Sequence, residues 1–218
     1  MSGWYLPIMA PDLDSANEEI IVPILYFDME CSTLTVHDHV AHEIFNNGYF
    51  GQWTSENSLV LEPEEILLLM DRKRIEVLNT TTNKKITSSE IVAHFTEKNN
   101  DFWSRYLVYK DLRNRGYVVR IGTQITAPFR IYSRGGKPGE SVSKKVIFPL
   151  SEGEHLDLDF LDQIVNQTKI DRKILLLSVV DRLGDVTYYQ ASQLELEPNE
   201  LEYEYRDELT PSNEQIEV

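Results

Sequence analysis

His37, His39 and His42 are the first grouping in this sequence whose type and spacing suit a metal ion. A closed zinc site needs four well-placed ligands, and no nearby cysteine joins these imidazoles. His37 and His39 share one face of an expected strand, so we read all three as solvated surface histidines and expect no metal site. Cys31 is the sole cysteine, which excludes an internal disulfide and a thiolate cage and suits a reducing compartment. We expect its thiol to be buried and inert. His94 should pack on its helix, and His155 lies in an acidic loop. Asp181 and Asp185 flank Arg182-Leu183-Gly184, a composition that an ordinary hairpin turn would also use. Tyr132 in Phe-Arg-Ile-Tyr-Ser-Arg-Gly and Lys173 in Arg-Lys-Ile-Leu-Leu-Leu-Ser-Val-Val-Asp stand beside apolar strand sequence. There a tyrosine is usually core and a lysine usually snorkels from the strand end.

The elements that must position these residues fall into two units. From about residue 20 to 98, short apolar runs alternate with turn signals. Ile20 to Phe27 reads as one or two strands, with Pro23 favouring an edge or a bulge, and Asn46-Asn47-Gly48 reads as a turn. Pro63-Glu64-Glu65 opens a short helix that ends near Arg72, because proline and acidic residues suit a first turn. A strand follows around Ile75 to Leu78. Thr87 and Glu90 have capping-box spacing ahead of a helix carrying Ile91, His94 and Phe95.

In the second unit Phe102, Tyr106, Tyr109 and Leu112 recur at helical spacing, with Arg105, Lys110 and Arg113 facing elsewhere. Gly116 suits the left-handed residue that ends such a helix. Strands are expected at Tyr117 to Ile121, Pro128 to Tyr132 and Val142 to Phe148, then a helix at Leu156 to Val165. Lys173 to Val180 reads as a strand buried on both faces and Val186 to Tyr189 as its hairpin partner. The stretch 195–218 is acidic and reads as a solvated tail.

The chain has 218 residues, 41% hydrophobic, and a formal charge of -15. That length suits one sizeable core or two small ones. The charge argues against a protein that coats nucleic acid nonspecifically, so any RNA contact is local or supplied by a partner. No run approaches the roughly 20 apolar residues of a membrane helix, and the N-terminus has no basic region before an apolar run. We expect a cytoplasmic protein with no membrane contact.

The run Tyr106 to Arg120, followed by Phe129-Arg130-Ile131-Tyr132-Ser133-Arg134-Gly135, resembles the helix, glycine stop and strands that open the nuclease domain of archaeal-type tRNA-splicing endonucleases. The resemblance is strong from about Trp103 to Tyr189 and weaker before it. It implies an α+β chain: a small mixed N-terminal domain at 1–98, a nuclease domain with a central mixed sheet flanked by helices at 99–194, and the tail at 195–218. It further implies an oligomeric enzyme that removes introns from precursor tRNA at bulge-helix-bulge sites.

RNA cleavage without metal or cofactor uses the 2'-hydroxyl as nucleophile, leaving a 2',3'-cyclic phosphate and a 5'-hydroxyl. It needs a base, an acid and a cation. The resemblance assigns these to a tyrosine, a histidine and a lysine, which fall on Tyr132, Val142 and Lys173. Valine cannot donate a proton. No histidine lies between Glu140 and Lys145, and Glu140 would serve only if burial raised its pKa by several units, which a polar glycine-rich loop does not favour. The family position for a base-stacking arginine falls on Asn166.

Asp181 and Asp185 match carboxylates that dock into a basic pocket of another subunit. The expectation is a structural subunit, with a catalytic endonuclease subunit or another copy of the chain as partner. A divergent active endonuclease and a noncatalytic RNA-binding or assembly protein remain the alternatives.

Overall fold

The structure is a computed structural model, and it describes residues 22–122, 128–133 and 135–192. The expected acidic tail, 195–218, lies outside these residues. The first unit runs β1 (Ile24–Phe27), β2 (Leu34–Val36), α1 (Asp38–Asn46), β3 (Gln52–Trp53), β4 (Leu59–Leu61), α2 (Pro63–Asp71), β5 (Glu76–Asn79) and α3 (Ser88–Lys98). Strands β2, β4 and β3 form one antiparallel sheet in that order, and β1 pairs in parallel with β5. The second unit runs α4 (Phe102–Asn114), β6 (Val118–Ile121), β7 (Phe129–Tyr132), β8 (Lys145–Ser151), α5 (Leu158–Ile170), β9 (Ile174–Val180) and β10 (Val186–Ala191). Its sheet has the order β10-β9-β8-β7-β6, antiparallel except for the β8–β9 pair. Together these form the expected α+β chain with a mixed sheet in the second unit.

Local chemistry explains most of the helix boundaries. At α2, Glu62 and Glu65 close a capping box ahead of Pro63, and Ile66 to Leu69 are all buried. At α3, the Glu90 carboxylate accepts the Thr87 N–H at 2.7 Å and the Thr87 hydroxyl accepts the Glu90 N–H at 3.3 Å. Gly116 takes φ +84 after α4, a conformation that a Cβ would strain. The parallel β8–β9 pair needs a crossover, and α5 supplies it. The Asp157 carboxylate caps that helix by accepting the Phe160 N–H at 3.0 Å.

The two faces of the five-stranded sheet are filled differently. Phe102, Tyr106, Tyr109 and Leu112 of α4 are all buried and pack into one core with Phe129, Ile131, Ile147 and Val180. That core continues into the first unit through Leu67, Phe50 and Phe95. On the opposite face, α5 covers only a small buried cluster of Val146, Ile164 and Leu175.

Four expectations are corrected. Residues 38–46 form helix α1, so His39 and His42 lie on a helix and His37 is its N-cap, where a strand was expected. Cys31 is exposed. Arg113 is 9% exposed, with its guanidinium 4.0 Å from the Phe50 ring centroid and donating to the Gly48 carbonyl at 2.6 Å. It belongs to the contact between the two units. The third strand begins at Lys145, which leaves Val142 in the preceding loop.

Candidate functional site

Strand β7 alternates, and the alternation divides its roles. Phe129 and Ile131 enter the core, while Arg130 and Tyr132 point to the opposite face. Arg120 pairs with Arg130 across β6 and β7, so its side chain shares that face. Beyond this edge of the sheet stand α1 and β3 of the first unit. Between them lies a groove of about 470 Å³, lined by Phe45, Gln52, Trp53, Arg120, Ile121, Gly122, Arg130, Tyr132, Pro138 and Gly139.

The wall from the first unit is aromatic. The Trp53 ring centroid lies 5.7 Å from Phe45 and 4.7 Å from the ring of His42. Arg120 ties the two walls together, because its guanidinium lies 5.5 Å from the Phe45 centroid and donates to the Gly51 carbonyl. Burial lowers the pKa of Arg120, against the opposing pull of the Glu65 charge.

The Gly51 N–H in turn donates to the Glu65 carboxylate at 2.8 Å. Glu65 is buried in α2, and desolvation pushes its pKa up to about 7 despite the Glu62 and Gly51 N–H donors and the nearby Arg120 charge. The Arg130 Nε is buried and has no hydrogen-bond partner among the described residues.

Tyr132 closes β7 and is half-buried on the groove. Lys173 immediately precedes β9, and the sheet register relates the two positions. Ile131 pairs with Lys145 and Lys145 with Ile174, so the next row carries Tyr132, Lys144 and Lys173. Two strand spacings, about 9–10 Å, separate the outer pair. The fold thus brings Tyr132 and Lys173 to one end of the same sheet.

Their side chains nevertheless open into different cavities. The Lys173 ammonium, on a side chain 17% exposed, sits 3.2 Å from the Asp171 carboxylate. It lines a separate cavity of about 340 Å³ with Thr168, Leu175 and Gln190. The hydrogen bond and charge of Lys173 hold the Asp171 carboxyl below its usual range, with a smaller contribution from Arg130.

Val142 is 81% exposed, whereas the next residue, Ser143, is buried. Glu140 is exposed and lies 3.9 Å from Lys137. Asn166 sits on α5 and donates to the Asp162 carboxylate at 2.8 Å. In the β9–β10 turn, one Asp181 carboxylate oxygen accepts the N–H groups of Leu183 at 2.8 Å and Asp185 at 2.9 Å. Asp185 is exposed, and Leu183 at the tip is 89% exposed. Asp181 therefore builds the turn, and Asp185 is the carboxylate that the turn presents. Among the described residues, no three His, Cys, Asp or Glu side chains converge as a metal cage, and no helix is long and apolar enough to cross a membrane.

Residue type alone does not single out Arg120, Arg130 or Trp53 as groove residues. The alternation in Phe-Arg-Ile-Tyr was the available signal for Arg130, since it places that residue on the face of Tyr132. Nothing in the sequence signals Trp53, which reaches the groove only through the packing of the two units.

Residues 28–92 match the family model described as tRNA intron endonuclease, N-terminal domain, and residues 102–188 match tRNA intron endonuclease, catalytic C-terminal domain. The tRNA-splicing endonuclease of Methanothermobacter thermautotrophicus is 32% identical over 151 residues, covering 69% of this chain and 85% of that protein. That of Thermococcus gammatolerans is 33% identical over 147 residues, covering 67% and 84%. That of Methanosarcina acetivorans is 33% identical over 148 residues, covering 68% of this chain but only 41% of the relative.

Proposed function

The chain belongs to the tRNA intron endonuclease family, and on that premise we propose that it is the structural subunit of a tRNA-splicing endonuclease. In this reading a partner subunit carrying the full Tyr, His and Lys set cuts precursor tRNA at bulge-helix-bulge sites. The observation that carries the proposal is Val142, an aliphatic side chain 81% exposed on the loop where the acid would stand. Expulsion of the 5'-oxygen requires a proton, and losing a positioned general acid costs about a hundred- to ten-thousand-fold in rate. Glu140 is exposed and carries an ion-pair partner, which gives no support to its serving as the replacement.

Tyr132 and Lys173 keep the places of base and cation on this reading, but Lys173 is already partnered by Asp171. Asp185, held outward by the Asp181 turn, is the carboxylate offered to a basic pocket on the catalytic subunit or on another copy of this chain. The protein would act in the cytoplasm. Reconstitution with the catalytic partner tests the assignment. Tyr132→Phe and Lys173→Ala in this chain should leave cleavage of a bulge-helix-bulge transcript nearly unchanged, whereas a loss of about a hundredfold, the size of a missing proton-transfer group, would make this chain a catalyst.

A further inference from the structure

The groove between the two units has a composition that the missing acid does not account for. Among the described residues its charged lining groups are the two guanidiniums of Arg120 and Arg130, on a chain whose net charge is -15. Arg120 is engaged with the Gly51 carbonyl and the Phe45 ring. Arg130 is different, because its Nε–H is buried without an acceptor among the described residues. A buried donor without an acceptor is unfavourable, and an acceptor brought into the groove, whether water or a ligand oxygen, relieves it. Facing it, Trp53 and Phe45 supply ring surfaces, and Tyr132 closes the sheet end. The groove volume of about 470 Å³ falls within the roughly 300–1,000 Å³ of small-ligand sites.

We propose that this groove binds one unpaired nucleotide of the RNA, with its phosphate on the Arg130 guanidinium and its base against Trp53. The inference rests on the proposed tRNA-splicing function and adds a substrate contact made by a chain that does not cut. The choice of ligand follows from the pairing of groups. A duplex keeps its bases stacked inside and would offer the groove only backbone. An unpaired nucleotide presents a ring face and a phosphate together, the combination that aromatic and arginine side chains recognise in single-stranded RNA. A free anion would use Arg130 and leave Trp53 without a role.

The test is binding of a fluorescently labelled bulge-helix-bulge RNA to the full chain and to the reconstituted complex, followed by anisotropy across a salt series. Trp53→Ala should weaken binding about 5- to 150-fold, the range for losing one stacked base, without changing the salt dependence. Trp53→Leu keeps apolar bulk for folding and should lose a similar factor. Arg130→Gln should flatten the slope of log affinity against log salt by about 0.7, the share of one phosphate in a single strand, and Arg130→Lys should restore it.

Arg115→Gln is the control, since Arg115 is paired at 2.7 Å with Asp111 on α4. A fully paired duplex of the same sequence should bind less tightly than the bulged RNA. Wild-type affinity in the Trp53 variants, an unchanged slope in Arg130→Gln, equal binding of the duplex, or no RNA binding by chain and complex alike would each overturn the inference. Because binding is read without cleavage, a chain that cuts by itself would remove the subunit assignment and leave this groove standing. Wild-type binding by both variants would do the reverse.

Discussion

The two faces of the nuclease-domain sheet are built to different ends. The α4 face is sealed by Tyr106, Tyr109, Phe129 and Ile147, each at most 1% exposed, and its core runs on into the first unit. Among the described residues the α5 face has a small buried core of Val146, Ile164 and Leu175, and its open end carries Arg120, Arg130, Tyr132 and Lys173, the residue before β9. Stability is concentrated on one face, so polar groups can stand half-exposed on the other without undoing the fold. A single strand, β7, shows both roles in alternate residues. Side-chain identity at Val142 is correspondingly free of packing demands, because it stands 81% exposed in the loop that precedes β8.

The largest expected effect breaks the comparison within β7 itself. Phe129→Ala should destabilise the chain by about 3–5 kcal/mol, the cost of emptying a buried aromatic site. Tyr132→Phe, three residues away on the open face, should stay within about 0.5 kcal/mol. Urea unfolding of the two variants measures both. Comparable losses would mean that the open face is as much a core as the sealed one.

The next comparison separates the two aspartates of the β9–β10 turn. Asp185→Ala should leave the fold intact and weaken assembly by about 2–5 kcal/mol if its carboxylate fills a basic pocket. Asp181→Ala removes the acceptor for two backbone N–H groups and should perturb the turn as well. Light scattering after size exclusion reads the assembly, and circular dichroism the fold. An unchanged assembly for Asp185→Ala at low and high salt would reduce the turn to a solvated hairpin.

A smaller effect is expected where the sealed core meets the groove. Glu65 has a folded pKa raised to about 7, above its unfolded value, so the folded state holds the extra proton between those values. Stability is thus greatest below the unfolded pKa and falls as pH rises through the folded one. The decline should be about 2–3 kcal/mol between about pH 5 and about pH 8. Glu65→Gln should flatten that slope, while losing about 1 kcal/mol near pH 5 because its amide cannot accept both N–H groups that Glu65 now binds. A slope unchanged in Glu65→Gln would place the titration elsewhere.

Much of the scaffold was legible in the sequence because its signals are local. The α4 stripe, the Thr87–Glu90 box, the Gly116 stop and the β9–β10 hairpin each depend on neighbours within a few residues. Helix α1 escaped because it is short and buries only Ala41 and Ile44, too few to set a period. Arg113 reads as outward-facing from local spacing because its partners, Phe50 and Gly48, come from the other unit. The candidate site divides in the same way. Tyr132 and Lys173 stand out through the motifs around them, whereas the groove depends on Trp53 and Arg130 lining it from the two units, which no spacing encodes.

Whether this chain supports cleavage without performing it is tested by product formation by the pure protein on a bulge-helix-bulge precursor tRNA, with and without magnesium. No appreciable 2',3'-cyclic phosphate ends are expected from the chain alone, and they should appear when the catalytic partner is added. Multiple turnovers by the pure chain, abolished by Lys173→Ala, would contradict that role.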